Sequence, residues 1–124
     1  MAKILVVDDD PHVLVLIKRL LEQNGHSVDQ ATNGELGLEL LAHRKYDLVL
    51  MDQAMPELTG IETVSIIRTN RRFDALKILM LTGGSVTSTV DAAYEAGVDG
   101  YILKPFAAAR VLAKIEGALS QEAL

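Results

Sequence analysis

Short apolar runs recur along this chain, and each is followed by a segment whose hydrophobic side chains repeat at helical spacing. Four of the runs are strongly apolar, and the second along the chain is weaker. The predicted strands are Ile4–Val7, Ser27–Ala31, Tyr46–Met51, Lys77–Leu81 and Tyr101–Leu103. Continuous apolar runs are typical of parallel strands that are covered on both faces. Strict alternation with helices therefore predicts an α/β fold with five parallel strands and five helices.

Local signals mark where several of these helices begin and end. Asp10 and Pro11 follow the first strand and are typical of an N-cap and a first helical residue. Gly25 is placed to end that first helix. Thr59 and Glu62 have the spacing of a capping box at the start of the third helix.

Length and composition restrict the class of protein. The chain has 124 residues, of which 49% are hydrophobic, and we expect one domain spanning residues 1–124. The absence of cysteine excludes a disulfide framework and a thiolate zinc site. A net charge of −5 disfavours nucleic-acid binding through this domain. There is no apolar run of the ~20 residues that a membrane span needs, and no room for a signal peptide before the first strand, so we expect a cytoplasmic protein.

Polar residues stand where the apolar strands end. Asp8 and Asp9 follow the first strand, Asp52 the third, Thr82 the fourth and Lys104 the fifth. In open α/β sheets, ligands bind beyond the carboxyl ends of the strands, where the strand order reverses. In a flavodoxin-like (βα)5 three-layer sandwich with strand order 2-1-3-4-5, strands one and three are neighbours, and these side chains converge.

The residue types in this group favour phosphoryl chemistry. Three clustered carboxylates repel one another and remain ionised together only around a cation. Oxygen ligands of this kind suit a hard cation such as Mg²⁺. An aspartate carboxylate is an adequate nucleophile toward phosphorus, while Lys104 and Thr82 can bind phosphoryl oxygens.

The residues Asp8-Asp9, Asp52, Thr82 and Lys104-Pro105-Phe106 resemble the signature of response-regulator receiver domains of two-component signalling. The resemblance extends from the first strand to the last helix. The segment from Gly100 to Ala109 is most similar to chemotaxis-type single-domain receivers, a less specific likeness.

The resemblance implies a metal site and an acceptor. By position, Asp52 would accept a phosphoryl group from a sensor histidine kinase or a histidine phosphotransfer protein. Asp8, Asp9 and Asp52 would hold Mg²⁺, with Asp9 the more direct ligand. The backbone carbonyl of Ala54 would be the remaining protein ligand of the Mg²⁺ ion.

The same resemblance implies a switch. Thr82 and Lys104 would bind the phosphoryl oxygens, and Tyr101 would change rotamer together with Thr82. The face made by the fourth helix, fifth strand and fifth helix would then change for an unknown downstream protein. The family pattern also has a cis bond before Pro105.

Two alternatives use the same residues differently. A haloacid dehalogenase-like phosphatase also has an aspartate nucleophile, and Asp8 and Asp10 would imitate its DxD motif. That class needs a further acidic pair late in the chain, where only Glu116 and Glu122 occur. A phosphorylation-independent interaction module on this fold is the other alternative.

Other charged residues are interpreted as surface groups. They are the histidines His12, His26 and His43 and the basic segment from Arg68 to Arg72.

Overall fold

The protein is described from a computed structural model, which covers residues 1–83 and 87–120, with the side chains of residues 87 and 88 left aside. The elements are β1 (Lys3–Val7), α1 (Pro11–Gln23), β2 (Ser27–Ala31), α2 (Gly34–His43), β3 (Leu48–Asp52), α3 (Gly60–Arg68), β4 (Lys77–Thr82), α4 (Thr87–Ala96), β5 (Gly100–Leu103) and α5 (Ala108–Ser120). A 3₁₀ turn at Arg71–Phe73 precedes β4. Glu122, which the sequence analysis considered for a late acidic pair, lies outside the described residues.

The five strands form one parallel sheet in the order β2-β1-β3-β4-β5, which confirms the predicted fold. β1 lies between β2 and β3, and Val7 near its end is aligned with Ala31 on one side and Met51 on the other. The carboxyl ends of β1 and β3 are therefore adjacent, at the point where the strand order reverses.

Alternate strand residues build two separate cores, one on each face of the sheet. Ile4 and Val6 pack in the core covered by α1 and α5, whereas Leu5 and Val7 pack in the core covered by α2, α3 and α4. Both faces of β1 and β3 are thereby buried. This explains why these strands are continuously apolar rather than alternating, and it gives the three layers that were predicted.

The predicted caps of α1 and α3 are confirmed. The Asp10 side chain accepts a hydrogen bond from His12 N at 2.9 Å, with Pro11 as the first helical residue. Both hydrogen bonds of the Thr59–Glu62 capping box are present. The amino-terminal starts of these two helices are therefore fixed by the local sequence.

The predicted start of the third strand was two residues early. Tyr46 precedes β3, and its hydroxyl donates to the Asp29 carboxylate at 2.6 Å. Asp47 accepts from Lys3 N at 2.8 Å through its side chain. The two residues are held by side-chain hydrogen bonds to neighbouring strands, so apolar character alone could not mark the boundary.

Two residues that were interpreted as surface groups, Arg68 and His26, instead have side chains that are largely shielded from solvent and bonded to other elements. The Arg68 guanidinium donates to the carbonyls of Phe73 and Gly97 and to the Asp99 carboxylate. The His26 ring is 9% exposed and accepts a hydrogen bond from Ala2 N at its Nδ1. The local sequence does not reveal the contacts with Gly97 and Ala2, because these partners are 29 and 24 positions away.

Within the part of the chain that is described, none of the helices has the length and apolar character that crossing a membrane requires.

Candidate functional site

The carboxyl ends of β1 and β3 bring three aspartates together. Asp8 is 0% exposed and Asp52 is 2% exposed, whereas Asp9 is open to solvent. One carboxylate oxygen from each of the three lies within 4.8 Å of the others. These residues, Asp8, Asp9 and Asp52, are called the acidic cluster below.

Lys104 reaches this cluster from the end of β5. Its Nζ lies 2.9 Å from Asp52 Oδ1 and 3.5 Å from Asp8 Oδ2. Its backbone N–H donates to the carbonyl of Thr82 at 2.8 Å, which ties the lysine to the end of β4. The peptide bond between Lys104 and Pro105 is cis, as the family pattern implied.

Asp8 is oriented by the turn that follows β1. Its Oδ1 accepts from Asp10 N at 2.9 Å, and its own backbone N–H donates to Ala31 O at 3.1 Å. Asp10 in turn caps α1. Asp10 therefore supports the cluster through its backbone, and its carboxylate serves the helix rather than the cluster.

Burial makes the negative charge of this cluster unfavourable. Desolvation raises the pKa of Asp52, although its hydrogen bond with Lys104 opposes this effect. Desolvation likewise raises the pKa of Asp8, against the hydrogen bond from the Asp10 backbone and the charge of Lys104. For Lys104, burial lowers the pKa, but the hydrogen bond and charge of Asp52 outweigh it and the net pKa is raised.

The donor set fits a hard divalent cation. With all groups ionised, three carboxylates and one ammonium leave a formal charge of −2 (−3 + 1). The oxygens within 4.8 Å of one another are carboxylate oxygens, which Mg²⁺ prefers, and the exposed Asp9 opens the group to solvent. Among the residues that the structure describes, this is the one such group of three or more acidic or histidine side chains.

The remaining three site residues of the sequence analysis lie on β4, on β5 and in the loop after β3. Thr82 is 3% exposed at the end of β4, beside Lys104. Ala54 is exposed in the loop between β3 and α3. Tyr101 is aligned with Met80 rather than with Thr82, and its ring packs edge-on against Tyr94, with centroids 6.1 Å apart.

Gln53 escaped the sequence analysis, although it follows Asp52 directly. Its side-chain oxygen accepts from Ile61 N at 2.8 Å. Nothing in the local sequence distinguishes this glutamine from a surface residue, because the contact depends on how the loop returns to the sheet.

Comparison with known proteins places this geometry in a family. The family described as "Response regulator receiver domain" matches residues 4–116. Response regulator MprA of Mycobacterium sp. (strain KMS) is 40% identical over 117 residues, covering 94% of this chain and 50% of that protein. Transcriptional regulatory protein ResD of Bacillus subtilis is 36% identical, covering 94% of this chain and 48% of that protein.

Solved structures agree. Chemotaxis protein CheY4 of Vibrio cholerae superimposes with a TM-score of 0.91 at 28% identity, covering 95% of this chain and 98% of that one. The chain belongs to the response regulator receiver domain family of two-component systems. It spans about half the length of the two regulators MprA and ResD. Receivers of this family act as signalling switches, and response regulators receive phosphoryl groups from histidine kinases.

Proposed function

We propose that this domain accepts a phosphoryl group on Asp52 in the presence of Mg²⁺ and thereby changes a surface for a partner protein. The observation that carries the proposal is the contact of 2.9 Å between Lys104 Nζ and the buried carboxylate of Asp52, inside a cluster of three aspartates. A buried nucleophile beside a cation and an oxygen donor set is the arrangement that phosphoryl transfer requires.

The transfer step uses the second oxygen of Asp52, because Oδ1 is bound by Lys104. That carboxylate oxygen attacks the phosphorus of a phosphohistidine, a new P–O bond forms and the P–N bond breaks. The imidazole leaves with the electron pair of the P–N bond. Lys104 and Thr82 bind phosphoryl oxygens, and the lysine ammonium offsets their charge. The product is an acyl phosphate on Asp52.

Asp8, Asp9 and Asp52 would hold the Mg²⁺ ion together with the carbonyl of Ala54. When bound, the ion supplies positive charge that balances the carboxylates and the incoming phosphoryl group. The chain's own contribution is to fix the buried Asp8 and Asp52 at the carboxyl ends of adjacent strands while leaving Asp9 exposed. The donor would be a sensor histidine kinase or a histidine phosphotransfer protein.

The acceptor is tested by intact-mass measurement after incubation with acetyl phosphate and Mg²⁺. We expect one added phosphoryl group on the wild type and none on Asp52→Asn. Asp29→Asn removes a different aspartate, which lies on β2, and serves as the matched control that keeps the label. A protein that remains unlabelled under all conditions would instead favour a phosphorylation-independent interaction module. Continuous turnover of phosphate esters would favour a phosphatase.

The proposed output surface consists of α4, β5 and α5. Tyr101 lies in this surface between Tyr94 of α4 and Lys114 of α5, whose Nζ is 5.9 Å from the centre of the ring. The alignment of Tyr101 with Met80 places it on the same face as Thr82, two residues further along β4. If Thr82 moves toward a phosphoryl oxygen, volume opens on that face for the Tyr101 ring.

This coupling is tested by partner affinity with and without a beryllofluoride mimic of the phosphoryl group. We expect Tyr101→Ala to remain phosphorylated on Asp52. The ratio of partner affinities with and without the mimic should fall about tenfold, which corresponds to ~1.4 kcal/mol of lost ring burial. Tyr46→Ala, which changes a tyrosine before β3, is the control. An unchanged ratio in Tyr101→Ala would assign the ring a packing role only.

Given the net charge of −5, the proposed downstream partner of this domain is a protein rather than a nucleic acid.

A further inference from the structure

Gln53 links Asp52 to the start of α3 through its backbone. Its N–H donates to Leu81 O of β4 at 2.9 Å, which continues the β3–β4 pairing beyond the strand. Its carbonyl accepts from both Met55 N and Gly60 N, each at 3.1 Å. The residue therefore joins the sheet, the loop and the helix through its own backbone N–H and carbonyl.

The hydrogen bond from Met55 N to the Gln53 carbonyl encloses Ala54 in a three-residue turn. Ala54 is the residue whose carbonyl the proposed function assigns to Mg²⁺. The conformation of that peptide is therefore set by how firmly Gln53 is held.

The side chain of Gln53 supplies that hold from the helix side. The first four N–H groups of a helix lack partners within it. In α3, the capping box satisfies two of them, Thr59 N and Glu62 N, by reciprocal side-chain hydrogen bonds. Gln53 satisfies the other two, accepting from Gly60 N through its carbonyl and from Ile61 N through Oε1 at 2.8 Å.

Close packing leaves little freedom at this junction. A Cβ atom at position 60 would lie 2.9 Å from the Cα of Gln53 and nearer still to the carbonyl oxygen of Asp52. Only glycine lets the helix start approach the backbone after the acceptor so closely. The loop from residue 54 to residue 60 is thus closed against the peptide that follows Asp52.

We propose that Gln53 is a positioning residue for the cation site, which fixes the Ala54 peptide relative to Asp52 by binding the start of α3 back onto the loop. The inference rests on the proposed function, because it assigns Gln53 a role toward the Mg²⁺ that the acidic cluster would hold. Partners of metal ligands in general tune affinity by holding the ligands in place. Gln53 does so for a backbone ligand.

The test measures Mg²⁺ affinity by NMR chemical-shift titration with the metal alone, together with the free energy of unfolding in metal-free buffer. Gln53→Met keeps the side-chain length but removes the acceptor. We expect it to weaken Mg²⁺ binding about tenfold, the lower end for partners of metal ligands. It should also speed amide exchange at Ile61.

Thr59→Ala is the matched control, because it removes the other half of the same helix cap without touching the peptide after Asp52. We expect it to lower the free energy of unfolding as Gln53→Met does, yet to retain wild-type Mg²⁺ affinity. Gln53→Glu keeps an acceptor oxygen and should bind Mg²⁺ at least as well as the wild type. The contrast between the two caps separates positioning from helix stability.

Three results would overturn the inference. Wild-type Mg²⁺ affinity in Gln53→Met would leave Gln53 as a helix cap alone, and an equal loss in Gln53→Glu would show that the acceptor oxygen is not the cause. The third concerns Asp9→Asn, which should bind Mg²⁺ far more weakly. If it bound normally, the metal assignment of the proposed function would fail, and the role of Gln53 with it.

Discussion

Two groups of aspartates in the sheet differ in their supply of hydrogen-bond donors. On the outer strand β2 and at the amino-terminal edge, each carboxylate has donors of its own, whereas at the carboxyl-terminal edge there are more carboxylates than charged donors. Asp29, Asp47 and Asp99, called the support group here, each accept hydrogen bonds from other elements. In the acidic cluster, Asp8 and Asp52 share the ammonium of Lys104, and Asp9 adds a third negative charge beside them. The same residue type therefore stabilises the fold in one region and prepares a charged site in the other.

The difference is visible in the pKa values. The hydrogen bond from Tyr46 lowers the pKa of Asp29, helped by Arg44 and opposed by burial. Burial raises the pKa of Asp52 despite Lys104. An ionised Asp29 thus favours the folded state, while an ionised Asp52 costs it stability in metal-free protein. The carboxyl-terminal edge, where the proposed site lies, is therefore locally less stable in the metal-free protein.

The largest expected effect is at Arg68, a donor to Asp99 of the support group. Arg68→Met removes the donor of three hydrogen bonds, at 2.9 Å to Gly97 O, 2.6 Å to Phe73 O and 3.1 Å to Asp99 Oδ2. We expect the free energy of unfolding to fall by about 2–4 kcal/mol, since charged hydrogen bonds are worth ~1.5–3 kcal/mol. Urea denaturation measures it. Arg71→Met, at a side chain 95% exposed, should change little. A loss in Arg68→Met no larger than in this control would contradict the support role.

Next in size is the effect of Mg²⁺, which should act on the acidic cluster alone. At ten times its dissociation constant, a ligand of the folded state adds about 1.4 kcal/mol. Thermal unfolding with and without MgCl₂ should show this gain in the wild type and in Asp29→Asn, but not in Asp9→Asn. Because Asp9 is exposed, its substitution should leave metal-free stability nearly unchanged. A Mg²⁺ effect that persisted in Asp9→Asn would place the ion elsewhere.

Asp52→Asn comes next and should stabilise the metal-free protein at neutral pH, because it removes a buried negative charge. The folded-state pKa of Asp52 is raised above its ordinary value of 3.8. Between these two pKa values the folded state binds more protons than the unfolded chain. Wild-type stability from this group is therefore lost as pH rises through the folded-state pKa. Denaturation between pH 4 and pH 8 should show the advantage of the variant growing with pH. A variant less stable than wild type at pH 7 would refute the charge imbalance.

The smallest effect is expected for Tyr46→Phe, which removes the hydroxyl that donates to Asp29 at 2.6 Å. We expect a loss of about 0.5 kcal/mol at neutral pH, because Arg44 remains at 3.2 Å from the same oxygen. The change in the free energy of unfolding is opposite in sign to that expected for Asp52→Asn. With a lowered pKa, Asp29 contributes stability above 3.8 that is lost as pH falls through its folded-state value, so the difference between wild type and variant should shrink in acid. A difference that grew in acid would contradict this assignment.

The fold was readable because its signals are local. The strands β1 and β3 are apolar on both faces, and the caps at Asp10 and Thr59 are formed by residues within three positions. The acidic cluster was readable because parallel strands bring their carboxyl ends to one edge. The side chains of Asp8, Asp9, Asp52 and Lys104 meet as that rule implies.

What the sequence could not supply were contacts between residues distant in the chain. Arg68 and Asp99 are 31 positions apart, and nothing in the basic segment around Arg68 indicates a pairing with a distant carboxylate. His26 was wrongly assigned to the surface. Its ring contacts Ala2 and Glu116, which lie near opposite ends of the chain, and the local sequence does not indicate either contact. Gln53 was missed although Ile61 is only eight positions away, because only the folded loop brings Ile61 N to its side chain.

The most direct test of the central claim is chemical localisation of the phosphoryl group. Borohydride reduces an acyl phosphate to an alcohol, so a phosphorylated Asp52 should be converted to homoserine after acetyl phosphate and Mg²⁺ treatment. Peptide sequencing by mass spectrometry should find homoserine at position 52, and at neither Asp8 nor Asp9. Homoserine at another aspartate, or none in a protein that carries the label, would contradict the assignment of Asp52 as the acceptor.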